Sequence, residues 1–248
     1  MADEFIEEFD PVSLDELDER AALLKRVDNK YAVERDRFAE LLDRLQSDHQ
    51  VLEIEGRRVF GYRTTYFDTP ELRCFTDHVE DRRPRFKART RLYVDADRCV
   101  FEVKLKREDD ETDKRQTEHA PSDADRFTDS ARHCLEEALS DAGLEAPERL
   151  SATLETRFRR ITLAARDGSA RLTCDIAVRL SRPEGDTASL RDGLILVETK
   201  SENGDSPADR ALADLGLEPM SLSKYRVGMG LVGGAEGGAQ PGSELFER

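Results

Sequence analysis

Apolar residues return at two different spacings along this chain. Across residues 35–46, Phe38, Leu41, Leu42 and Leu45 recur every three or four positions, which predicts a helix with one buried face. Phe127, Ala131, Cys134, Leu135, Ala138 and Leu139 keep the same spacing and predict an amphipathic helix over 123–142, with Gly143 placed to end it. Elsewhere the period is two, or the run is β-branched and aromatic. That predicts strands over 26–33, 51–54, 58–68, 85–94, 99–106, 152–164, 170–180 and 194–200. Asp95-Ala-Asp97 and Asp167-Gly168 supply the turns of two hairpins. Shorter helical or turn segments are expected at 14–24, 70–77 and 208–215, and 221–228 completes the ordered region. Residues 107–122 are almost wholly polar and read as a long loop. The sum is one α+β domain dominated by long antiparallel strands.

The strand faces carry the chemistry. In 85–93 the bases Arg85, Lys87, Arg89 and Arg91 stand at every second position, so a strand projects all of them from one face. Phe86, Ala88, Thr90 and Leu92 take the other. Glu102, Lys104 and Lys106 share a face opposite Phe101, Val103 and Leu105, and Arg171, Thr173 and Asp175 alternate with Leu172, Cys174 and Ile176. One such strand would be an ordinary solvated face. Several with the same sign are not, because like charges on one sheet face repel. The helices also need apolar strand faces to cover, which turns the charged faces inward to line a barrel. Inward cations in low dielectric require water, acids or an anionic ligand. Guanidinium groups match phosphate oxygens bidentately and Lys adds point charge, so a phosphate chain would satisfy many at once. Glu102, Asp175 and Glu198 are then either ion-pair partners in the cluster or carboxylates for Mg²⁺ or Mn²⁺.

Charge bears this out by its distribution rather than its sum. The chain of 248 residues has a net charge of −15. Residues 1–20 hold nine acids against one base, whereas residues 82–107 hold ten bases against three acids. The acidic total argues against a nucleic-acid binder. Single-stranded nucleic acid stacked on Tyr62, Tyr66 and Phe86 is the poorest reading, because no aromatics interleave with the cations. No apolar run approaches a membrane span, and the acidic start is unlike a secretory signal, so a soluble cytoplasmic protein is expected. Cys74, Cys99, Cys134 and Cys174 lack CxxC spacing, the four histidines make no zinc pattern, and there is no GxxxxGK[ST] loop. Residues 1–20 are expected to form a flexible acidic segment and 232–248 a glycine-rich disordered tail.

On these residues the sequence resembles the VTC domain, the polyphosphate polymerase branch of the triphosphate tunnel metalloenzymes. The matching pieces run in family order: Arg26-Val-Asp-Asn-Lys-Tyr31, Thr65-Tyr-Phe-Asp-Thr69, Lys87-Ala-Arg-Thr-Arg-Leu-Tyr93 and Phe101-Glu-Val-Lys104. Then come Arg157-Phe-Arg-Arg160, Ala170-Arg-Leu-Thr-Cys-Asp175, Val197-Glu-Thr-Lys200 and Ser221-Leu-Ser-Lys-Tyr225. They span roughly residues 22–230, within an expected tunnel domain of 21–231.

The resemblance implies an antiparallel β-barrel tunnel with helices packed outside. It also implies an enzyme that transfers the γ-phosphate of ATP to a growing polyphosphate chain with Mn²⁺ or Mg²⁺. It makes Arg26, Lys30, Arg63, Lys87, Arg89, Arg91, Lys104, Arg160, Arg171, Lys200 and Lys224 phosphate contacts, with Arg89, Arg91, Lys200 and Glu198 catalytic. Glu198 resembles the metal carboxylate, and Glu102 is a second. Tunnel triphosphatases and related cyclases open with Glu-x-Glu-x-Lys, whereas this chain has Arg26-x-Asp28-x-Lys30, which favours the polymerase branch. Hydrolysis of tripolyphosphate or a nucleoside triphosphate, and non-catalytic polyphosphate binding, are the alternatives. The eukaryotic complexes add an inositol-phosphate-sensing domain and membrane helices. Neither pattern occurs in these residues, so coupling to vacuolar translocation is not expected, and a membrane-protein partner is not visible in the sequence.

Overall fold

The computed structural model describes residues 5–20, 27–109, 111–183, 185–233 and 240–248. In chain order the elements are β1 (Pro11–Val12), α1 (Leu14–Arg20), β2 (Val27–Glu34), α2 (Arg35–Leu45), β3 (His49–Leu52), β4 (Phe60–Asp68), α3 (Arg73–Val79), β5 (Arg85–Tyr93), β6 (Arg98–Lys106), β7 (Thr112–His119), α4 (Asp129–Ser140), β8 (Ser151–Ala165), β9 (Ala170–Ser181), β10 (Thr187–Leu190), β11 (Leu194–Ser201), α5 (Pro207–Asp214), α6 (Lys224–Leu231) and β12 (Phe246–Glu247). The described strands join in one 12-stranded network whose main path is β12-β10-β9-β8-β4-β5-β6-β7. In addition β11 pairs with β2 and β9, and β3 pairs with β1 and β8. The expected α+β class, with a large antiparallel sheet and helices outside it, is the one observed.

The residues gather into two compact units. The first comprises Met1–Phe60, Phe158–Val178 and Leu190–Ser221. Its core sets Phe38, Leu41, Leu42 and Leu45 of α2 against Tyr31, Val33, Leu163, Leu172, Cys174 and Val197 of the strands, with Leu212 of α5 alongside. Each large apolar side chain buried in this way contributes about 2 kcal/mol. Residues 6–17 of the acidic N-terminal segment are anchored here. Ile6, Phe9, Val12 and Leu17 are buried, and β1 runs parallel to β3 with Pro11 opposite Val51. Its acids occupy positions between those apolar residues, so composition alone concealed the anchors.

The second unit comprises Gly61–Arg157, Arg179–Ser189 and Leu222–Arg248. Phe67, Phe101 and Phe127 pack as a triangle with ring centroids 5.7–6.2 Å apart. Leu135 and Leu139 of α4 are fully buried. That helix starts at Asp129 rather than 123, because the Thr128 side chain accepts the Ala131 N–H and caps it.

Two further expectations are corrected in this unit. Part of the polar stretch 107–122 is β7, paired antiparallel with β6 over its whole length. Its backbone makes the ladder while its side chains stay mostly exposed, so no apolar alternation announced it. The tail is ordered at its end, where Leu245 and Phe246 are buried and β12 pairs with β10.

Candidate functional site

In the second unit, β5 alternates as its sequence dictates. Phe86, Ala88 and Thr90 are buried, and Arg85, Lys87, Arg89 and Arg91 stand on the opposite, partly exposed face. Register sets Arg89 opposite Glu102 and Lys87 opposite Lys104 on β6. Glu102 is only 1 % exposed, and three cations hold it. Arg89 Nε donates to Oε2 at 2.8 Å, Arg91 Nη2 lies 3.7 Å from Oε2, and Lys114 Nζ of β7 lies 2.6 Å from Oε1. Burial opposes its ionisation, but Arg89, Arg91 and Lys114 outweigh that and hold its pKa well below the usual carboxylate range. For Arg89, burial pulls the other way and Glu102 more than offsets it, so the guanidinium stays charged. Arg89 also donates to Tyr66 Oη at 3.4 Å, and the Tyr66 ring stacks on Tyr225 at 4.9 Å.

Lys87 points elsewhere on the same face. Its Nζ lies 2.9 Å from His78 Nε2 of α3 and 3.4 Å from Ser223 Oγ, the N-cap of α6. Lys224 opens that helix and is half-buried, while Lys104 is exposed. Arg63 pairs with Glu155 at 3.9 Å, not with Asp68. Asp68 is fully buried and accepts the Thr69, Cys74 and Phe75 N–H groups and the Tyr225 hydroxyl. It thereby ties α3 and α6 to the end of β4.

The first unit holds a second set. On the β2–β11 pair, Glu198 stands opposite Lys30 and Lys200 opposite Asp28. Lys200 Nζ lies 2.6 Å from Glu198 Oε1 and 3.5 Å from Asp28 Oδ2, and Lys30 Nζ is 4.0 Å from Glu198. Burial opposes ionisation of Glu198, but Lys200 and Lys30 outweigh it and keep its pKa far below normal. Burial pulls the Lys200 ammonium pKa down, against Glu198 and Asp28. Arg171 of β9 stands opposite Lys200. Arg160 of β8 makes a bidentate pair with Asp175, at 2.7 and 2.9 Å, which fixes Asp175 as an ion-pair partner. Arg26 lies outside the described residues.

Sequence reasoning missed the carboxylate that holds this pair of strands from behind. Asp209 of α5 accepts from Asn29 Nδ2 at 3.0 Å, Tyr31 Oη at 2.8 Å and Thr199 Oγ1 at 2.6 Å. It also closes a capping box with Ser206. Asn29, Tyr31 and Thr199 alternate with Asp28, Lys30, Glu198 and Lys200, so Asp209 fastens the face opposite the charges. The Ser-Pro-x-Asp sequence at 206–209 was the available signal.

Glu198 holds two lysine ammonium groups, so a divalent cation there would have to share the carboxylate with them. Among the described residues no group of three or more His, Cys, Asp or Glu gathers, so the protein offers few carboxylates. Mg²⁺-type ions bind in that way, through one or two carboxylates with water and substrate phosphate supplying the rest. Glu102, closed in by three cations, is the weaker candidate.

Cations at strand spacing on antiparallel strands, with helices outside, agree with the class that the comparisons give, the triphosphate tunnel metalloenzymes, which generally use divalent metal ions. Within it, the family model for the VTC domain matches residues 25–232, and the chain belongs to that family. Among solved structures it is similar to a Hippeastrum protein, a candidate adenylyl cyclase described as revealing a dominant triphosphatase activity. The TM-score is 0.54 at 15 % identity, over 82 % of this chain and 94 % of that one. The likeness shows a shared fold. The PH1012 protein of Pyrococcus horikoshii OT3 matches at a TM-score of 0.44 and 12 % identity, over 81 % of this chain and 98 % of that one. No curated protein matches the sequence. No described helix is long and apolar enough to cross a membrane.

Proposed function

We propose that the protein is a polyphosphate polymerase that uses ATP as phosphoryl donor. The observation that carries this reading is the first strand of the motif series. Where tunnel triphosphatases present two acids followed by a lysine, this chain has Arg26, Asp28 and Lys30, so one acid is replaced by a base, and Asp28 faces Lys200. That leaves Glu198 as the main metal carboxylate, with Lys30 and Lys200 beside it to meet a polyanion. The terminal oxygen of the phosphate chain attacks the γ-phosphorus, the bond to the β,γ-bridging oxygen breaks, and ADP leaves. Such transfer depends on positioning and charge stabilisation more than on a protein nucleophile. Arg89, Arg91 and Lys87 are the phosphate contacts of the second unit; Lys30, Lys200, Arg160 and Arg171 are those of the first. Arg63, Lys104 and Lys224 are further contacts. Glu198 would hold a divalent cation, which when bound neutralises phosphate oxygens.

The test is incubation of purified protein with ATP and Mn²⁺. Formation of an acid-labile phosphate polymer supports the proposal. Orthophosphate release without chain growth favours triphosphate hydrolysis instead, a reading suggested by the activity described for the Hippeastrum protein. Binding without turnover would leave a polyphosphate-binding module.

A further inference from the structure

His78 is used by none of the motifs above, yet it stands among the phosphate-type cations of the second unit. Its Nε2 is 2.9 Å from Lys87 Nζ, and that ammonium in turn lies 3.4 Å from Ser223 Oγ. An ammonium has only donors, so Nε2 is the acceptor and the ring is neutral with its proton on Nδ1. Nδ1 is buried with no hydrogen-bond partner. The charges that act most strongly on the ring are all positive: Lys87 and Arg85 on β5, Lys104 on β6 and Arg226 on α6. The acids nearest in sequence are engaged already. Asp77 pairs with Arg73 and Arg82, and Asp81 with Arg83 and Arg85. Burial first, and these cations next, push the imidazole pKa from 6.5 down to about 2.

A structural histidine gains little from this position. An aliphatic side chain would fill the space without leaving a buried N–H unmatched or an ammonium donating to a ring. The arrangement makes sense as the anion-free state of a subsite. We propose that Lys87, Ser223 and His78 form a phosphate subsite in which His78 takes up a proton from solvent as the anion arrives. Lys87 then turns its ammonium to the phosphate, and the freed Nε2 becomes a second donor to it. The anion supplies the negative charge that the cluster lacks, so the imidazolium becomes stable where it was excluded before. Binding of polyanion and of one proton are therefore linked. The inference rests on the proposed function only in taking a phosphate chain as ligand.

Long-chain polyphosphate is the probe, because its internal phosphates do not titrate near neutral pH. Imidazole resonances of the full chain, assigned with His78→Gln, are followed by NMR from pH 5 to 8 with and without it. The expected result is a His78 ring that stays neutral alone and charges in the complex. Polyphosphate affinity then rises as pH falls, by up to about tenfold per pH unit for one linked proton. His78→Gln flattens that slope without abolishing binding. If polyphosphate binds and His78 stays neutral throughout, the inference is overturned while the proposed function stands. If polyphosphate does not bind at all, both fall.

Discussion

Lys114 Nζ lies 2.6 Å from Glu102 Oε1, across the β6–β7 ladder. The contact comes from a segment with no apolar pattern and gives the buried carboxylate its third cation. Glu102 is therefore the counter-charge that lets Arg89 and Arg91 stand side by side on β5.

Removing that counter-charge is expected to be costly. Glu102→Gln leaves Arg89, Arg91 and Lys114 facing one another around a neutral amide. Loss of one partner from a buried ion pair costs about 3 kcal/mol. Urea unfolding at pH 7 should show that loss, and added polyphosphate should restore more stability to the variant than to the wild type. Lys114→Ala should cost far less, about 1 kcal/mol or under, because half of that side chain is exposed and two cations remain.

Glu198→Gln separates binding from turnover. The variant should keep polyphosphate affinity, since Lys30 and Lys200 lose a competing carboxylate. Metal-stimulated turnover of ATP should fall on the order of 100-fold, the size of losing one electrostatic stabiliser of the transition state. Turnover unchanged in the variant would place the metal elsewhere.

Asp209→Ala tests the support behind β2 and β11. It strands Tyr31 Oη and Thr199 Oγ1, both buried, and removes the carboxylate half of the α5 capping box, leaving the Ser206 N-cap in place. A stability loss of about 3 kcal/mol is expected in chemical denaturation. Thr199→Val, which removes one partner only, should cost less.

Stability of the ligand-free protein should fall as pH drops below 6.5. Burial, followed for His78 by its cationic neighbours, lowers the pKa of both His49 and His78 from that value. Below pH 6.5 the unfolded chain takes up protons that the folded chain refuses, so each histidine costs at most about 1.4 kcal/mol per pH unit. Glu102 has its pKa depressed by folding, so its contribution is present above its ordinary value of 4.5 and lost as pH falls below it. Thermal unfolding should thus show a gentle decline below pH 6.5 and a steeper one below 4.5. His78→Gln should shrink the first step and leave the second.

Which residues alternate, and which sign each strand face carries, was determined by the sequence alone, because side chains in a strand must alternate. Residues 85–91 therefore announced a cationic face, and the order of motifs announced the family. Tertiary structure alone decided which charges meet. Strand register put Lys30 opposite Glu198, and packing set Asp175 against Arg160, so both acids are ion-paired. It also made a strand of residues 112–119, whose pairing uses backbone groups that every residue carries, and so brought Lys114 to Glu102. Asp209 and His78 lie far along the chain from Thr199's partner strand and from Lys87's α6 contact. Only packing could join them, because hydrogen bonds between distant segments leave no periodic trace in the chain.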